Sequence, residues 1–97
     1  LRLGRAFSHL HAHYDRKMKL QDLARLAGVS VNTFLRVFRQ AAGSSPIDYL
    51  LNLRLDHARR LLSDTAMSIT DTAFAVGFTD GNYFSRVFRR RVRPAVR

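Results

Sequence analysis

One arrangement of residues occurs twice in this chain, and that repetition limits its folding more than any other feature. Leu20, Leu23, Ala24 and Ala27 recur at helical spacing and are followed by Gly28, Val29 and Ser30. Ile69, Thr72, Ala73 and Val76 restate the four apolar positions 49 residues later, and Gly77, Phe78 and Thr79 restate the three that follow. Phe34-Leu35-Arg36-Val37-Phe38-Arg39 is then matched by Phe84-Ser85-Arg86-Val87-Phe88-Arg89 at an offset of 50, so the second turn has gained one residue, at Thr79-Asp80. Two copies of helix, glycine turn and helix, joined by one long helix, organise the 97 residues. No strand-like alternation with hairpin signals interrupts them, which predicts an all-α fold.

The punctuation between the copies is equally regular. Leu3, Phe7, Leu10 and Tyr14 form one face of a leading helix. Gly28 suits the left-handed position that ends a helix, and Ser30 suits the N-cap of the next. Gly43-Ser44-Ser45-Pro46 breaks the chain; Ser45 caps, Pro46 fits the first helical turn, and Asp48 lies in the positive end of the helix. The helix that follows presents Ile47, Leu50, Leu51, Leu55, Ala58, Leu61 and Leu62 as one stripe and runs to Ser63, about 27 Å in length. Arg54 falls within that stripe and needs a partner or a path to a phosphate. After a break at Asp64 and Thr65, Ser68-Ile69-Thr70-Asp71 resembles a capping box with Asp in place of Glu. The expected organisation is a first helix-turn-helix subdomain over 1–45, a linker helix over 46–63 and a second, shortened subdomain over 64–97, each subdomain a homeodomain-like three-helix unit.

Charge narrows the choice of partner. Lys and Arg number 17 against 7 acids, a formal net charge of +10, and all but Lys17 and Lys19 of the bases are Arg. Such a field attracts polyanions, either nucleic acid or an anionic membrane surface. The planar guanidinium matches phosphate and guanine, which favours nucleic acid. The chain has no cysteine and no Glu, no phosphate-binding glycine loop and no metal-ligand spacing, so neither an enzyme nor a cofactor is expected. His9, His11 and His13 alternate at spacings of two, which scatters the imidazoles around a helix as solvated surface groups. No apolar run approaches the roughly 18 residues of a membrane span. The chain opens at Leu1 without a methionine, which points to a fragment of something longer.

A helix-turn-helix sets its second helix in the major groove of DNA. If Phe34, Val37 and Phe38 fill the inner face in the first copy, the outer face offers Val31, Asn32, Leu35, Arg36 and Arg39. The second copy correspondingly offers Gly81, Asn82, Ser85, Arg86 and Arg89. Arg pairs with guanine and Asn with adenine, Val31 and Leu35 suit thymine methyl groups, and Gly81 permits close approach. Arg90 belongs to a run of six arginines, Arg86 to Arg97, that adds phosphate affinity. A linker of this length suits reading helices in major-groove segments about 34 Å apart. Two further readings stay open: a nonspecific basic nucleic-acid coat, and a membrane-surface helix protein, against which the two glycine turns speak.

Leu23-Ala24-Arg25-Leu26-Ala27-Gly28-Val29-Ser30, Phe38, Gly43-Ser44-Ser45-Pro46 and Tyr49-Leu50 resemble the first half of the AraC/XylS DNA-binding domain. Arg54-Leu55, Ala58 and Leu61-Leu62 are similar to its linker helix, and Ile69, Ala73, Val76-Gly77-Phe78 and Tyr83 to Arg89 to its second half. The resemblance implies a bacterial, cytoplasmic, nucleoid-associated transcription factor. In most relatives this is an activator that contacts RNA polymerase and follows an N-terminal sensing or dimerising domain. It also implies base contacts from Asn32, Leu35 and Arg36 and from Gly81, Asn82, Ser85 and Arg86, with Arg54 structural or phosphate-directed. Three positions depart from the pattern. Lys19 replaces a usual capping residue, which predicts a frayed helix start, and Leu35 replaces a polar reader. The stretch from Arg90 to Arg97 lacks the repeated glycine, with Pro94 early and no room for a last helix, which predicts an under-packed second subdomain.

Overall fold

A computed structural model describes residues 1–92 as six helices: α1 (Leu3–His13), α2 (Leu20–Ala27), α3 (Val31–Ala42), α4 (Pro46–Asp64), α5 (Ile69–Ala75) and α6 (Gly81–Arg91). No strand occurs among the described residues, in keeping with the all-α expectation. The chain divides into two compact units, Leu1–Leu53 and Arg54–Arg97, and the division falls inside α4.

The first unit is built on Ala6 and Leu10 of α1, Leu23, Ala24 and Ala27 of α2, and Phe34 and Phe38 of α3, all buried. Aromatic rings close it. Phe7 stacks on Phe38 with centroids 4.7 Å apart, and Tyr49 meets Phe38 edge-on at 5.5 Å and Phe7 at 5.3 Å. The helix ends follow the residues that specify them. Gly28 takes φ +78° after α2 and Gly43 takes φ +78° after α3, where a side chain would be strained. The Ser30 hydroxyl accepts from the Thr33 N–H at 3.2 Å, and the Ser45 hydroxyl accepts from the Asp48 N–H at 3.1 Å. Lys19 gives α2 no side-chain cap. The Arg2 N–H donates to the Ala27 carbonyl at 2.8 Å and ties the start of the chain to the end of α2.

The second unit buries Leu55 and Ala58 of α4, Thr72 and Ala73 of α5, Val76 and Phe78 of the turn, and Phe84 and Val87 of α6. Phe84 meets Phe78 edge-on at 5.0 Å and stacks with Phe88 at 5.4 Å. The Ser68 hydroxyl accepts from the Asp71 N–H at 3.0 Å, as the capping pattern requires. The two glycine turns share one hydrogen-bond scheme at the offset of 49. Gly28 and Val29 donate to the carbonyls of Arg25 and Ala24, while Gly77 and Phe78 donate to those of Phe74 and Ala73.

Four expectations need correction. The N-cap corresponding to Ser30 is Asp80 and not Thr79: the Asp80 carboxylate accepts from the N–H groups of Asn82 at 2.9 Å and Tyr83 at 3.3 Å. Thr79 is therefore the inserted residue, and the offset changes from 49 to 50 across it. Helix α4 extends to Asp64, one residue further than expected. Ile47 leaves the apolar stripe and is 71% exposed. In the first unit α4 packs through Tyr49, Leu50 and Leu53, an arc centred about 110° around the helix from Ile47. Finally, the histidines do not all scatter. His9 and His13, four residues apart, bring their ring centroids within 4.7 Å, while His11 Nε2 lies 2.6 Å from the Tyr49 hydroxyl.

Candidate nucleic-acid interface

Each second helix of a pair is amphipathic, with its aromatic face turned inward. On α3, Phe34 and Phe38 are fully buried and Val37 half-buried. The burial of that face leaves Asn32, Arg36 and Arg39 exposed, with Val31 and Leu35 half-buried beside them. On α6, Phe84 and Val87 are buried, Asn82, Arg86, Arg89 and Arg90 are exposed, and Gly81 and Ser85 are half-buried. Asn32 and Asn82, Arg36 and Arg86, and Arg39 and Arg89 all correspond at the offset of 50. Identical polar groups thus stand opposite a matching buried ring, Phe34 or Phe84, in each unit.

The electrostatics of these faces are uniform. Neither α3 nor α6 contains an acidic residue. None of Arg36, Arg39, Arg86, Arg89 and Arg90 pairs with a carboxylate among the described residues; the Arg25–Asp22 pair at 3.1 Å lies on α2. These five guanidinium groups therefore have no carboxylate partner among the described residues and can meet an external anion. Arg54 differs, being half-buried and engaged by other groups. Arg93 and Arg97, named above for phosphate affinity, and the stretch around Pro94 lie outside the described residues.

Gly81 opens α6 with an ordinary helical backbone. A Cβ there would find Thr70 Cγ2 at 3.9 Å as its nearest neighbour, a normal contact, so nothing inside the unit demands glycine. Residue-pattern reasoning missed Tyr83 on the same helix. It is 43% exposed, and the Arg86 guanidinium carbon lies 5.8 Å from its ring centroid. The i, i+3 spacing of the two residues was the available signal. Among the described residues no group of three or more His or Asp side chains gathers to hold a metal, and no helix is long and apolar enough to cross a membrane.

Comparison with known proteins agrees with this geometry. A family described as a helix-turn-helix domain matches residues 23–95. The HTH-type transcriptional activator RhaS of Enterobacter sp. (strain 638) is 38% identical over 89 residues, which is 92% of this chain and 32% of the relative. The chain therefore spans about a third of the length of the curated relatives it matches. A transcriptional regulator from Chromobacterium violaceum with an AraC-type DNA-binding domain superposes with a TM-score of 0.86 at 36% identity, covering 95% of this chain and 82% of that one. The DNA-binding domain of AdpA, solved in complex with a target DNA, gives a TM-score of 0.88 at 30% identity, covering 94% of this chain and 82% of that one.

Proposed function

The chain belongs to the AraC/XylS family of helix-turn-helix DNA-binding regulators, and on that premise we propose that it reads a specific double-stranded DNA site with both α3 and α6. The observation that supports this reading is the repeated face: an Asn and two Arg side chains, exposed and without acidic partners among the described residues, stand opposite a fully buried phenylalanine, Phe34 or Phe84, in each unit. In this reading the two helices enter successive major-groove segments, bridged by α4. Asn32 and Asn82 pair with adenine, Arg36 and Arg86 with guanine, and Val31 and Leu35 pack on thymine methyl groups. Ser85 adds a polar contact, and Gly81 lets the start of α6 approach the bases. Arg39, Arg89 and Arg90 hold phosphates and set register without reading sequence. Arg54, half-buried and engaged by other groups, supports the linker helix or reaches one phosphate. Because α3 and α6 differ at Val31/Gly81 and Leu35/Ser85, the two half-sites are unequal.

The longer protein to which this reading assigns the chain is a bacterial activator acting at the nucleoid. An N-terminal sensing or dimerising domain precedes the reader, and RNA polymerase is its target. The greater length of the RhaS relatives supports a longer protein, and their name supports activation. A competition assay separates sequence reading from simple polyanion binding. Under the proposal a matched duplex outcompetes random duplex by about 10³-fold or more, and footprinting protects two boxes. A steep salt dependence with equal competition by any duplex would leave only a basic nucleic-acid coat.

A further inference from the structure

Tyr83 has no counterpart in the first unit. At the offset of 50 its place is taken by Thr33, and at the offset of 49 the place of Phe78 is taken by Val29. In the second unit these substitutions build a short stack from the core outward. Phe84, fully buried, meets Phe78 edge-on at 5.0 Å, and Phe78, 6% exposed, lies 6.1 Å from Tyr83. Tyr83 in turn lies beneath the guanidinium of Arg86, 5.8 Å from ring centroid to carbon. The backbone beneath the stack is held as well, since the Tyr83 N–H donates to the Asp80 cap at 3.3 Å. The matching place before Arg36 carries no ring: it is Thr33, whose N–H donates to the Ser30 hydroxyl and whose hydroxyl accepts from it.

We infer that Tyr83 is a positioning residue for base reading: its ring, braced by Phe78, holds the Arg86 side chain in the orientation in which α6 presents it to DNA. The inference rests on the reading of Arg86 as a base contact and adds the means by which that contact is prepared. An arginine has many rotamers to lose when it docks on guanine. A cation over an aromatic face has already lost part of that freedom, and the exposed interaction is worth about a 2–5-fold population bias. The second unit should then discriminate its guanine more sharply than the first, although both carry arginine at the same place.

Two measurements test this on the chain as it stands. In the free protein, nitrogen relaxation at Arg Nε should show Arg86 more ordered than Arg36. Tyr83→Leu should reduce Arg86 to the Arg36 level, and Tyr83→Phe should keep the order. Equal order of Arg36 and Arg86 in the unaltered chain would overturn the inference while leaving the reading of DNA by Arg86 intact. On DNA, the base position whose preference is erased by Arg86→Ala is scored next. Tyr83→Leu should reduce the preference there by about 2–5-fold with affinity for random duplex and helix content unchanged, and Tyr83→Phe should retain it. Loss with Tyr83→Phe equal to that with Tyr83→Leu would assign the effect to the phenol hydroxyl and contradict the role of the ring. If Arg86→Ala weakens every duplex alike, Arg86 is a phosphate contact, and both the base reading and the positioning role fall.

Discussion

Phe38 and Phe88 hold matching places in the two copies, yet Phe38 is fully buried and Phe88 only half-buried. The first unit covers its ring with Phe7 from α1 and with Tyr49, which follows the Gly43-to-Pro46 turn. At the offset of 50, the sequence after α6 reads Arg93, Pro94, Ala95 and Val96 where the first copy has Gly43, Ser44, Ser45 and Pro46, so that residue pattern is not repeated. The caps, by contrast, are reproduced with different chemistry: one hydroxyl acceptor in Ser30 and one carboxylate in Asp80. Duplication has kept what positions the exposed helix face, while the matching rings Phe38 and Phe88 are covered to different extents among the described residues.

The sharpest way to break this comparison is to remove the two rings. Phe38→Ala should cost about 3–5 kcal/mol, enough to unfold a unit of marginal stability. Phe88→Ala, at a ring that is not fully buried, should cost less, about 2–3 kcal/mol. Denaturant unfolding of the two variants measures the difference, and equal losses would show that the units are covered equally well.

Next in size come the readers. Arg86→Ala should lower affinity for the matched site by about 1–3 kcal/mol and relax preference at a single base. Arg36→Ala should relax a different base and cost less, since its side chain lacks the aromatic support. Titrations with single-base variants of the matched duplex report both effects.

A smaller effect belongs to Thr72, which stands where the first copy has Leu23. Its hydroxyl oxygen is fully buried and has no hydrogen-bond partner among the described residues. Thr72→Val should therefore stabilise the protein by about 1 kcal/mol, seen as a higher denaturation midpoint with an unchanged slope. The smallest effect on stability is expected at Gly81, the counterpart of Val31. Gly81→Ala meets no crowding and should raise stability by at most about 0.5–1 kcal/mol. It should nevertheless weaken binding to the matched duplex if α6 approaches the bases closely, with random-duplex affinity as the control.

Much of this could be read from residue order because helix ends are local. Ser30, Ser45, Ser68, Gly28 and Gly43 each act on atoms within about four residues of themselves, and each acts as its identity predicts. The alternation of buried Phe and exposed Arg on α3 and α6 follows equally from helical periodicity. The misreadings arose where two local rules competed or where a distant contact decided. Thr79 and Asp80 are both good capping residues, and only the geometry of the turn selects Asp80. Ile47 looks like core by composition, but the arc of α4 that the first unit uses is set by Phe7, Phe38 and Tyr49 packing together. Tyr83 belongs by type to a core, and its place under Arg86 depends on Phe78 behind it.

Selection of bound sequences from a random duplex pool, carried out in parallel with the unaltered chain, Arg36→Ala and Arg86→Ala, bears most directly on the claim that both helices read DNA. Two unequal boxes with centres about 10–10.5 base pairs apart should emerge from the unaltered chain, and each variant should blur one box and spare the other. Recovery of a single box, or of no preferred sequence, with both variants indistinguishable from the unaltered chain, would contradict it.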